Sequence, residues 1–177
     1  LNVTIPYKEQ VLRFVTVLSP AVESIGACNC IKIQDGILTA FNTDVLGFEQ
    51  SLKPLLRPEY KKALILGTGG AAKAVAWVLG NLGIEYSYVS RNPDEQRVIS
   101  YEMLHLELVR EHKLIVNTTP LGMQPNIHQK PSLPYAGITP YHLCYDLIYN
   151  PAKTAFLLAA EAQGATIKNG LEMLTIQ

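Results

Sequence analysis

The clearest chemical signal in the sequence is a glycine-rich stretch at residues 67–72, which reads GTGGAA. It matches the G-x-G-x-x-A pattern that binds a dinucleotide pyrophosphate between a strand and a helix. Gly67 permits the tight turn, Gly69 lets the backbone approach the pyrophosphate, and Ala72 allows close packing of the helix, whose positive end faces the anion. The stretch predicts a dinucleotide site, and the alternative is an ordinary tight strand-to-helix turn.

The end of the following strand indicates which dinucleotide is bound. A domain that prefers NAD carries an acidic residue there for the ribose hydroxyls, whereas this chain carries Ser90, Arg91 and Asn92. The guanidinium of Arg91 offers a planar cation to a 2′-phosphate. These residues therefore favour NADP over NAD, and the alternative is an arginine that contacts only solvent.

Lys8 and Asp44 are the candidate catalytic pair. Lys8 follows Pro6 by two residues, so we expect it in the first turn of a helix, where the helix dipole disfavours a cation by about 0.3–1 kcal/mol. A lysine that releases its proton easily suits a general acid that acts on a developing alkoxide, and an exposed lysine is the alternative. Asp44 lies in the stretch NTDVLG at residues 42–47, at the predicted start of a helix. It could cap this helix, act in catalysis, or do both.

A polar stretch, NTTP at residues 117–120, ends a third apolar run. Side chains at the carboxyl edge of a doubly wound sheet usually meet the ligand, and a simple turn is the alternative. The segment that follows, residues 120–140, contains five prolines and two glycines. We predict that it forms a loop over the carboxyl ends of the strands, where function often resides.

The sequence predicts no metal site. The four histidines show no shared spacing suited to a metal, and those at 105 and 112 read as exposed helix positions. The cysteines are Cys28, Cys30 and Cys144. Their odd number and the lack of a CxxC pair argue against a disulfide framework and a zinc site, and a reducing cytoplasm is the expected location.

Composition and charge exclude several classes of partner. Of the 177 residues, 48% are hydrophobic, enough for one good core or two small lobes. Lys plus Arg and Asp plus Glu both total 15, so the net charge is zero and no basic face for nucleic acid is visible. The longest apolar stretch, residues 65–84, contains Lys73, Asn81 and a glycine cluster, and fits a turn and helix better than a membrane span. We expect a small-molecule substrate, no nucleic acid, no membrane, and a monomer or homodimer.

From residue 62 onward, short apolar runs alternate with segments of helical periodicity, which is typical of a parallel sheet flanked by helices. The predicted strands are residues 63–66, 85–89, 114–117, 143–148 and 165–168. Apolar residues spaced by three and four predict a helix over 71–82 that Gly83 ends, and a later helix over 152–163 ends before Gly164. The pattern predicts an α/β fold with a Rossmann-like doubly wound parallel sheet of at least five strands.

The pattern differs before residue 60. Residues 2–5 alternate like a strand, residues 6–18 look helical, and residues 30–39 resemble a hairpin around Asp35-Gly36. We interpret this part as the remnant of a separate lobe. Because the chain opens at Leu1 in the middle of a predicted strand, we expect it to be truncated at its N-terminus.

Six motifs together resemble the shikimate dehydrogenase family in order and spacing. They are NVTIPYK at residues 2–8, IGACN at 25–29, NTD at 42–44, the glycine stretch, NTTPLGM at 117–123 and YDL at 145–147. The resemblance covers the whole chain and ends at GLEMLTIQ, residues 170–177. It implies a two-lobed enzyme that reversibly reduces 3-dehydroshikimate to shikimate with NADP, in the biosynthesis of chorismate and aromatic amino acids.

The resemblance also implies domain limits and residue roles. Residues 1–45 would be the remnant of a smaller α/β substrate-binding lobe, residues 46–169 the NADP-binding domain, and residues 170–177 a segment that returns to the small lobe. Lys8 and Asp44 match the catalytic pair. The positions that match substrate-binding residues are Asn2, Thr4, Lys8, Asn29, Asp44 and Gln177. The positions that match cofactor-binding residues are Gly67, Thr68, Gly69, Gly70, Ala71, Ser90, Arg91, Asn92, Asn117, Thr118, Leu147, Tyr149 and Gly170.

The chain departs from the family pattern at several positions. The family's opening strand and helix, with a serine pair that binds the substrate carboxylate, have no counterpart here. Cys30 stands where the family usually has Thr, Thr68 where it often has Ala, and Ser-Arg-Asn at 90–92 where it commonly has Asn-Arg-Thr. The missing serines bear on substrate binding, whereas Arg91 supports the NADP prediction.

The resulting hypothesis is that hydride reaches the ring ketone while the Lys8 ammonium supplies a proton to the alkoxide, with Asp44 holding Lys8 and a neighbouring hydroxyl in line. Burial favours the neutral amine and a nearby carboxylate favours the ammonium, so proton transfer and charge stabilisation both stay open. One alternative is a quinate dehydrogenase that uses NAD, since motifs do not fully determine which hydroxyl pattern is bound. Another is a non-catalytic ligand-sensing homologue, which the presence of both Lys8 and Asp44 disfavours.

Overall fold

Short apolar runs form the strands of this protein, and amphipathic segments between them form helices. The computed structural model describes residues 1–4, 6–93 and 98–177. The strands in this part of the chain are β1 (Val17–Leu18), β2 (Cys30–Gln34), β3 (Ile37–Phe41), β4 (Lys62–Leu66), β5 (Glu85–Ser90), β6 (Val98–Ser100), β7 (Leu114–Asn117), β8 (Leu143–Asp146) and β9 (Thr166–Lys168). The α-helices are α1 (Pro20–Ile25), α2 (Thr43–Leu52), α3 (Gly70–Asn81), α4 (Leu106–Glu111), α5 (Ala155–Glu161) and α6 (Leu171–Ile176). Short 3₁₀ helices cover Gln10–Phe14, Lys53–Leu55, Tyr101–Met103 and Tyr135–Gly137.

The larger sheet has six parallel strands in the order β6-β5-β4-β7-β8-β9. From β4 the chain builds outward through β5 and β6, and it then returns to the other side of β4 with β7. The strand order therefore reverses between β4 and β7, and ligands of doubly wound sheets bind at the carboxyl ends of the strands at such a reversal. The predicted α/β fold with a Rossmann-like parallel sheet is confirmed.

Alternate residues of β4 enter two different cores. Ala63 and Ile65 pack with side chains of α2 and α3, while Leu64 and Leu66 pack with side chains of α4 and α5. All four are completely buried, as expected for a central strand with helices on both faces. Each fully buried Leu or Ile contributes about 1.5–3 kcal/mol, so this short strand anchors both layers.

The smaller sheet has three strands in the order β1-β3-β2. β2 and β3 form the predicted hairpin, with Asp35 and Gly36 as its two-residue turn. Both turn residues have positive φ, 49° and 76°, which is the conformation of a type I′ hairpin turn. β1 adds to the other edge of β3 in parallel orientation.

Two expectations about the first 18 residues are wrong. Of the predicted strand over residues 2–5, only Asn2 forms a bridge, antiparallel to Cys30, and Ile5 lies outside the described residues. The predicted helix over residues 6–18 is instead a turn, a short 3₁₀ helix and β1. The β-branched run Val15-Thr16-Val17 disfavours a helix and extends toward β3, where the Thr16 N–H donates to the Leu38 carbonyl. Lys8 therefore lies in a turn, and the helix-dipole argument does not apply to it.

Other differences concern boundaries and short elements. α5 begins three residues later than predicted, because the Thr154 hydroxyl accepts a hydrogen bond from the Leu157 N–H and caps it. α1, which the sequence reading did not predict, begins at Pro20 after the capping residue Ser19. The three-residue strand β6 was likewise not predicted. The His112 side chain is buried, not exposed as expected. No described helix is long and apolar enough to cross a membrane.

Candidate active site

Lys8 and Asp44 form a largely buried ion pair. The Lys8 Nζ lies 2.5 Å from the Asp44 Oδ2, and the two side chains are 15% and 7% exposed. Asp44 lies in the first turn of α2, where the helix dipole stabilises a carboxylate. The residue that precedes the helix is Asn42, and the Asp44 carboxylate is bound by side chains of other segments. The capping role considered for Asp44 is therefore wrong.

Asn29 holds the carboxylate from the other side. Its amide nitrogen donates to Asp44 Oδ1 at 2.9 Å and to the Thr43 hydroxyl at 3.0 Å. Its amide oxygen accepts from the Thr43 N–H at 2.8 Å. Both oxygens of Asp44 are thus engaged, one by Lys8 and one by Asn29, which fixes the plane of the carboxylate.

A cleft of about 360 Å³ surrounds this ion pair. Every residue predicted to bind substrate lines it: Asn2, Thr4, Lys8, Asn29, Asp44 and Gln177. Val3, Thr43 and Leu174 complete the lining. The structure therefore brings together hydroxyl, amide and charged groups from four separate parts of the chain, although contact with a substrate stays a prediction.

Close packing of α6 on α2 carries Gln177 into this cleft. A Cβ on Gly47 would lie 2.6 Å from the Met173 carbonyl oxygen and 2.9 Å from the Gln177 Cγ. Only glycine at position 47 permits this approach of the two helices. The sequence analysis assigned no function to Gly47. The one feature that could have identified it is the position of a glycine inside a helix.

The glycine stretch connects β4 to α3 as predicted. Gly67 has a φ of +106°, and a Cβ there would lie 2.8 Å from the Thr118 Oγ1, so the turn requires glycine. A Cβ on Gly69 would meet no atom within 4 Å, which leaves the backbone at the start of the 12-residue α3 open to a ligand. None of the described side chains caps this helix. These features fit the pyrophosphate of a dinucleotide.

A second cleft, of about 330 Å³, opens beside this turn at the carboxyl ends of β4, β5 and β7. Six of the predicted cofactor residues line it: Gly67, Thr68, Gly69, Ser90, Arg91 and Thr118. Tyr101 also lines it, although no sequence signal identified this residue. Burial raises the pKa of Tyr101, and the nearby Arg91 guanidinium opposes that shift.

Gly70 lies between the two clefts. A Cβ at this position would lie 3.5–3.6 Å from the Cδ and Cβ of Lys8, so the lysine stem packs directly on the first residue of α3. One turn further along α3, the Lys73 Nζ pairs with Glu9 Oε1 at 2.8 Å. The ion pair of Lys8 and Asp44 therefore adjoins the helix that follows the glycine turn.

The other predicted cofactor residues lie outside the lining of this second cleft. Ala71 is half-buried in α3, Asn92 is exposed, and its N–H donates to the Ser90 hydroxyl. Asn117 is completely buried, and its amide donates to Asp146 Oδ1 at 3.1 Å while its oxygen accepts from the Thr119 hydroxyl at 2.7 Å. Its side chain shapes the turn after β7, and a cofactor contact by Asn117 stays a prediction.

The last three predicted cofactor positions follow β8. Leu147 is half-buried, and Tyr149 is 46% exposed. Gly170 packs on Leu147 so closely that a Cβ would lie 2.0 Å from the Leu147 carbonyl oxygen. The Gly170 N–H also donates to the Ile148 carbonyl. This crossing of two backbone segments sets the start of α6, and any cofactor contact of these residues stays a prediction.

Among the described residues, no group of three or more His, Cys, Asp or Glu side chains is placed to hold a metal ion. Among the carboxyl groups of the described residues, Asp146, at the end of β8, has the largest pKa shift. Burial raises the pKa of Asp146 to about 6, although hydrogen bonds from Thr154, Ile148 and Asn117 oppose the shift. Asp146 anchors the segment after β8.

Comparison with known proteins identifies the relatives of this chain. A family model described as the shikimate dehydrogenase substrate binding domain matches residues 1–31. The shikimate dehydrogenase (NADP(+)) of Desulforamulus reducens is 38% identical over 196 residues, which cover 100% of this chain and 67% of that protein.

Solved structures show the same similarity. The shikimate 5-dehydrogenase of Thermus thermophilus, in complex with NADP(H) and shikimate, superposes with a TM-score of 0.85 at 36% identity, over 99% of this chain and 68% of that one. The quinate dehydrogenase of Corynebacterium glutamicum, in complex with NAD, superposes with a TM-score of 0.87 at 26% identity, over 98% and 67% of the two chains. The chain thus spans about two thirds of the length of these three proteins.

Proposed function

The chain belongs to the shikimate dehydrogenase family, and from this premise we propose that it reversibly reduces 3-dehydroshikimate to shikimate with NADPH. The observation that carries the proposal is the position of Lys8. Its ammonium is paired with Asp44 inside the polar cleft, and its stem packs on Gly70 at the start of the helix that follows the glycine turn. The pair can therefore act on a substrate that reaches toward a dinucleotide at that turn.

The groups around the pair suit a small ring that carries several hydroxyls. Asn2, Thr4 and Gln177 offer amides and a hydroxyl, which can both donate and accept hydrogen bonds. A site built from such groups rejects analogues that lack a hydroxyl, because its own polar atoms would then be left without partners. This supports a polyhydroxylated ring as the substrate class.

In the proposed mechanism, NADPH supplies a hydride to the ring ketone when bound. The Lys8 ammonium stabilises the negative charge that develops on the substrate oxygen and donates a proton to it. Asp44 holds the Lys8 ammonium in the cleft before the reaction. Asn29 holds the second oxygen of Asp44, so the pair is oriented without help from the substrate.

Arg91 supports NADP as the cofactor. It lies at the end of β5, lines the cleft beside the glycine turn, and is exposed. A guanidinium there provides a bidentate partner for a 2′-phosphate. The neighbouring Ser90 and Asn92 place no carboxylate where an NAD-specific domain carries one.

We also propose the domain limits 1–45, 46–169 and 170–177. The three-stranded sheet ends at Phe41 and the six-stranded sheet begins at Lys62, so the two sheets are separate in the chain. α6, in the last segment, packs against α2 and places Gln177 in the cleft of the small lobe. Limited proteolysis that cuts between residues 41 and 62 would support the first limit.

The experiment that tests the function is a spectrophotometric assay of the purified chain. We expect oxidation of NADPH that depends on 3-dehydroshikimate, and reduction of NADP⁺ that depends on shikimate. The kcat/KM with NADP⁺ should exceed that with NAD⁺. A chain that binds both ligands in calorimetry but shows no substrate-dependent change in absorbance would instead support the ligand-sensing alternative.

A quinate dehydrogenase is the second candidate function. The fold superposes on the NAD-bound quinate dehydrogenase of C. glutamicum with a TM-score of 0.87. The two acids differ in their hydroxyl pattern, which the cleft side chains read. Comparing kcat/KM for shikimate and quinate, each with both cofactors, separates the candidates.

A further inference from the structure

A third cleft, of about 500 Å³, adjoins the second cleft beside the glycine turn. The two share Arg91, Tyr101 and Leu121. The residues that only the third cleft has are Glu102, Gln129, Lys130 and Ser132. Three of these four come from the loop of residues 120–140, whereas Arg91 directly follows β5. The proposed function uses none of them.

Lys130 is held in place by its own loop. Its Nζ lies 4.4 Å from the centre of the Tyr135 ring, a distance at which a cation is attracted to the ring face. The Tyr135 hydroxyl donates to the Pro131 carbonyl at 2.9 Å, and its ring packs on Phe156 in the core. The ammonium therefore has a defined position, although the side chain is exposed.

The charges around the third cleft favour an anion. Arg91 and Lys130 both line it, and neither forms an ion pair within the part of the chain that the structure describes. Glu102 is the one acidic side chain among its described lining residues. Hydrogen bonds from Ser100 and from its own backbone N–H lower the pKa of Glu102, so it is ionised at neutral pH. Among the described lining residues, two cations against one carboxylate leave a net positive charge.

We propose that Lys130 is a specificity-determining residue, which binds the 2′-phosphate of NADP together with Arg91. The inference rests on the proposed function and assigns a second cation to its cofactor preference. A phosphate between a guanidinium and an ammonium forms charge-assisted hydrogen bonds to both. Tyr101 and Leu121 line both clefts together with Arg91, so the phosphate position is continuous with the cleft beside the glycine turn.

The test is calorimetric binding of two fragments to the full chain. Adenosine 2′,5′-bisphosphate carries the 2′-phosphate, and 5′-AMP is the same molecule without it. We expect Lys130→Gln to weaken binding of the bisphosphate by about 5- to 20-fold and to leave 5′-AMP binding unchanged. Lys130→Arg should restore bisphosphate binding to within about 3-fold of the original protein. Lys32→Gln, on exposed β2 of the small sheet, is the matched control and should change neither affinity.

Three results would overturn the inference. Lys130→Gln could leave bisphosphate binding unchanged, or it could weaken both fragments equally, which would indicate a contact with the common adenosine part. In either case, the NADP proposal itself would stand if Arg91→Gln lost the preference for the bisphosphate over 5′-AMP. If the original protein bound both fragments equally well, the proposed NADP preference and the inference would both be wrong.

Discussion

Asn117 and Asp146 are register partners at the carboxyl ends of the adjacent strands β7 and β8, and the Asn117 amide donates to Asp146 Oδ1 at 3.1 Å. The Asp146 Oδ2 accepts from the Thr154 hydroxyl, which also caps α5. One buried carboxyl group thus ties together the turn after β7, the segment after β8 and the start of α5. Since the turn after β7 lines the proposed cofactor cleft, Asp146 helps to shape that cleft.

The first prediction concerns the pH dependence of stability. Burial raises the pKa of Asp146 from 3.8 to about 6 in the folded protein. Between these values the folded state binds more protons than the unfolded state, so this group makes the folded state less stable as the pH rises. At about 1.4 kcal/mol per pKa unit, the loss from about pH 4 to about pH 7 is about 3 kcal/mol.

Asp146→Asn removes this titration and keeps an oxygen that can accept from Asn117. Urea unfolding of both proteins across this pH range measures the effect. The free energy of unfolding of the original protein, relative to the variant, should fall as the pH rises. A difference that is constant with pH would contradict the prediction.

The second prediction concerns turnover. Lys8→Ala should reduce kcat by about 10²- to 10⁴-fold, because the substrate oxygen loses its proton donor or its stabilising charge. Asn29 still donates to Asp44 in the variant, so we expect the fold to persist, with an unchanged circular dichroism spectrum. Lys153→Ala, at an exposed ion pair with Glu161, is the control and should have normal turnover. Near-normal turnover of Lys8→Ala would refute the catalytic assignment.

The third prediction separates two roles for Asn29. If Asn29 acts by positioning Asp44, Asn29→Ala should lower kcat by about 10-fold or more with little change in KM. Its effect should not add to that of Asp44→Asn in a double-mutant cycle, because both changes remove the same interaction. The effects of Asn29→Ala and Gln177→Ala should add, because the Gln177 side chain forms no hydrogen bond to Asn29 or Asp44. A rise in KM alone would instead indicate that Asn29 binds the substrate directly.

The fourth prediction concerns stability at a backbone crossing. Gly170→Ala would place a Cβ 2.0 Å from the Leu147 carbonyl oxygen, and neither backbone segment has a flexible end that can move aside. We expect a loss of about 1–3 kcal/mol or more in the free energy of unfolding. Gly80→Ala, near the end of α3, is the matched control, since the atom nearest to its Cβ outside the helix backbone belongs to the Tyr86 ring, at 4.0 Å. That variant should be neutral or more stable by up to about 1 kcal/mol. Equal stability of the two variants in urea unfolding would contradict the prediction.

The fifth prediction concerns the approach of α6 to α2. Gly47→Ala would place a Cβ 2.6 Å from the Met173 carbonyl oxygen and force α6 away, which moves Gln177 in the cleft. Shikimate should bind more weakly, by about 10-fold or more. Adenosine 2′,5′-bisphosphate, which binds at Arg91 and Lys130 in our proposal, serves as the internal control and should bind unchanged. Weaker binding of both ligands would indicate a general loss of structure.

Local sequence patterns were sufficient to predict the framework. The buried strands β4 and β7 are continuous apolar runs, the glycine stretch joins β4 to α3, and the Asp35-Gly36 turn closes its hairpin. Each of these features depends on residues that are close in sequence, through periodicity, turn conformation or helix capping. A parallel sheet of at least five strands follows from them, since alternating strands and helices leave few other arrangements, whereas the short edge strand β6 was not predicted.

Only the tertiary structure decided which side chains meet. Lys8 and Asp44 are 36 residues apart, and the element that carries Lys8 was predicted wrongly, yet their pairing places both in one cleft. Lys130 and Arg91 line one cleft although neither residue type nor spacing links them. Such contacts depend on how completed elements pack against each other, and no periodicity along the chain records that packing. The sequence by itself therefore determined the fold class and the site's chemical components, whereas packing determined their geometry.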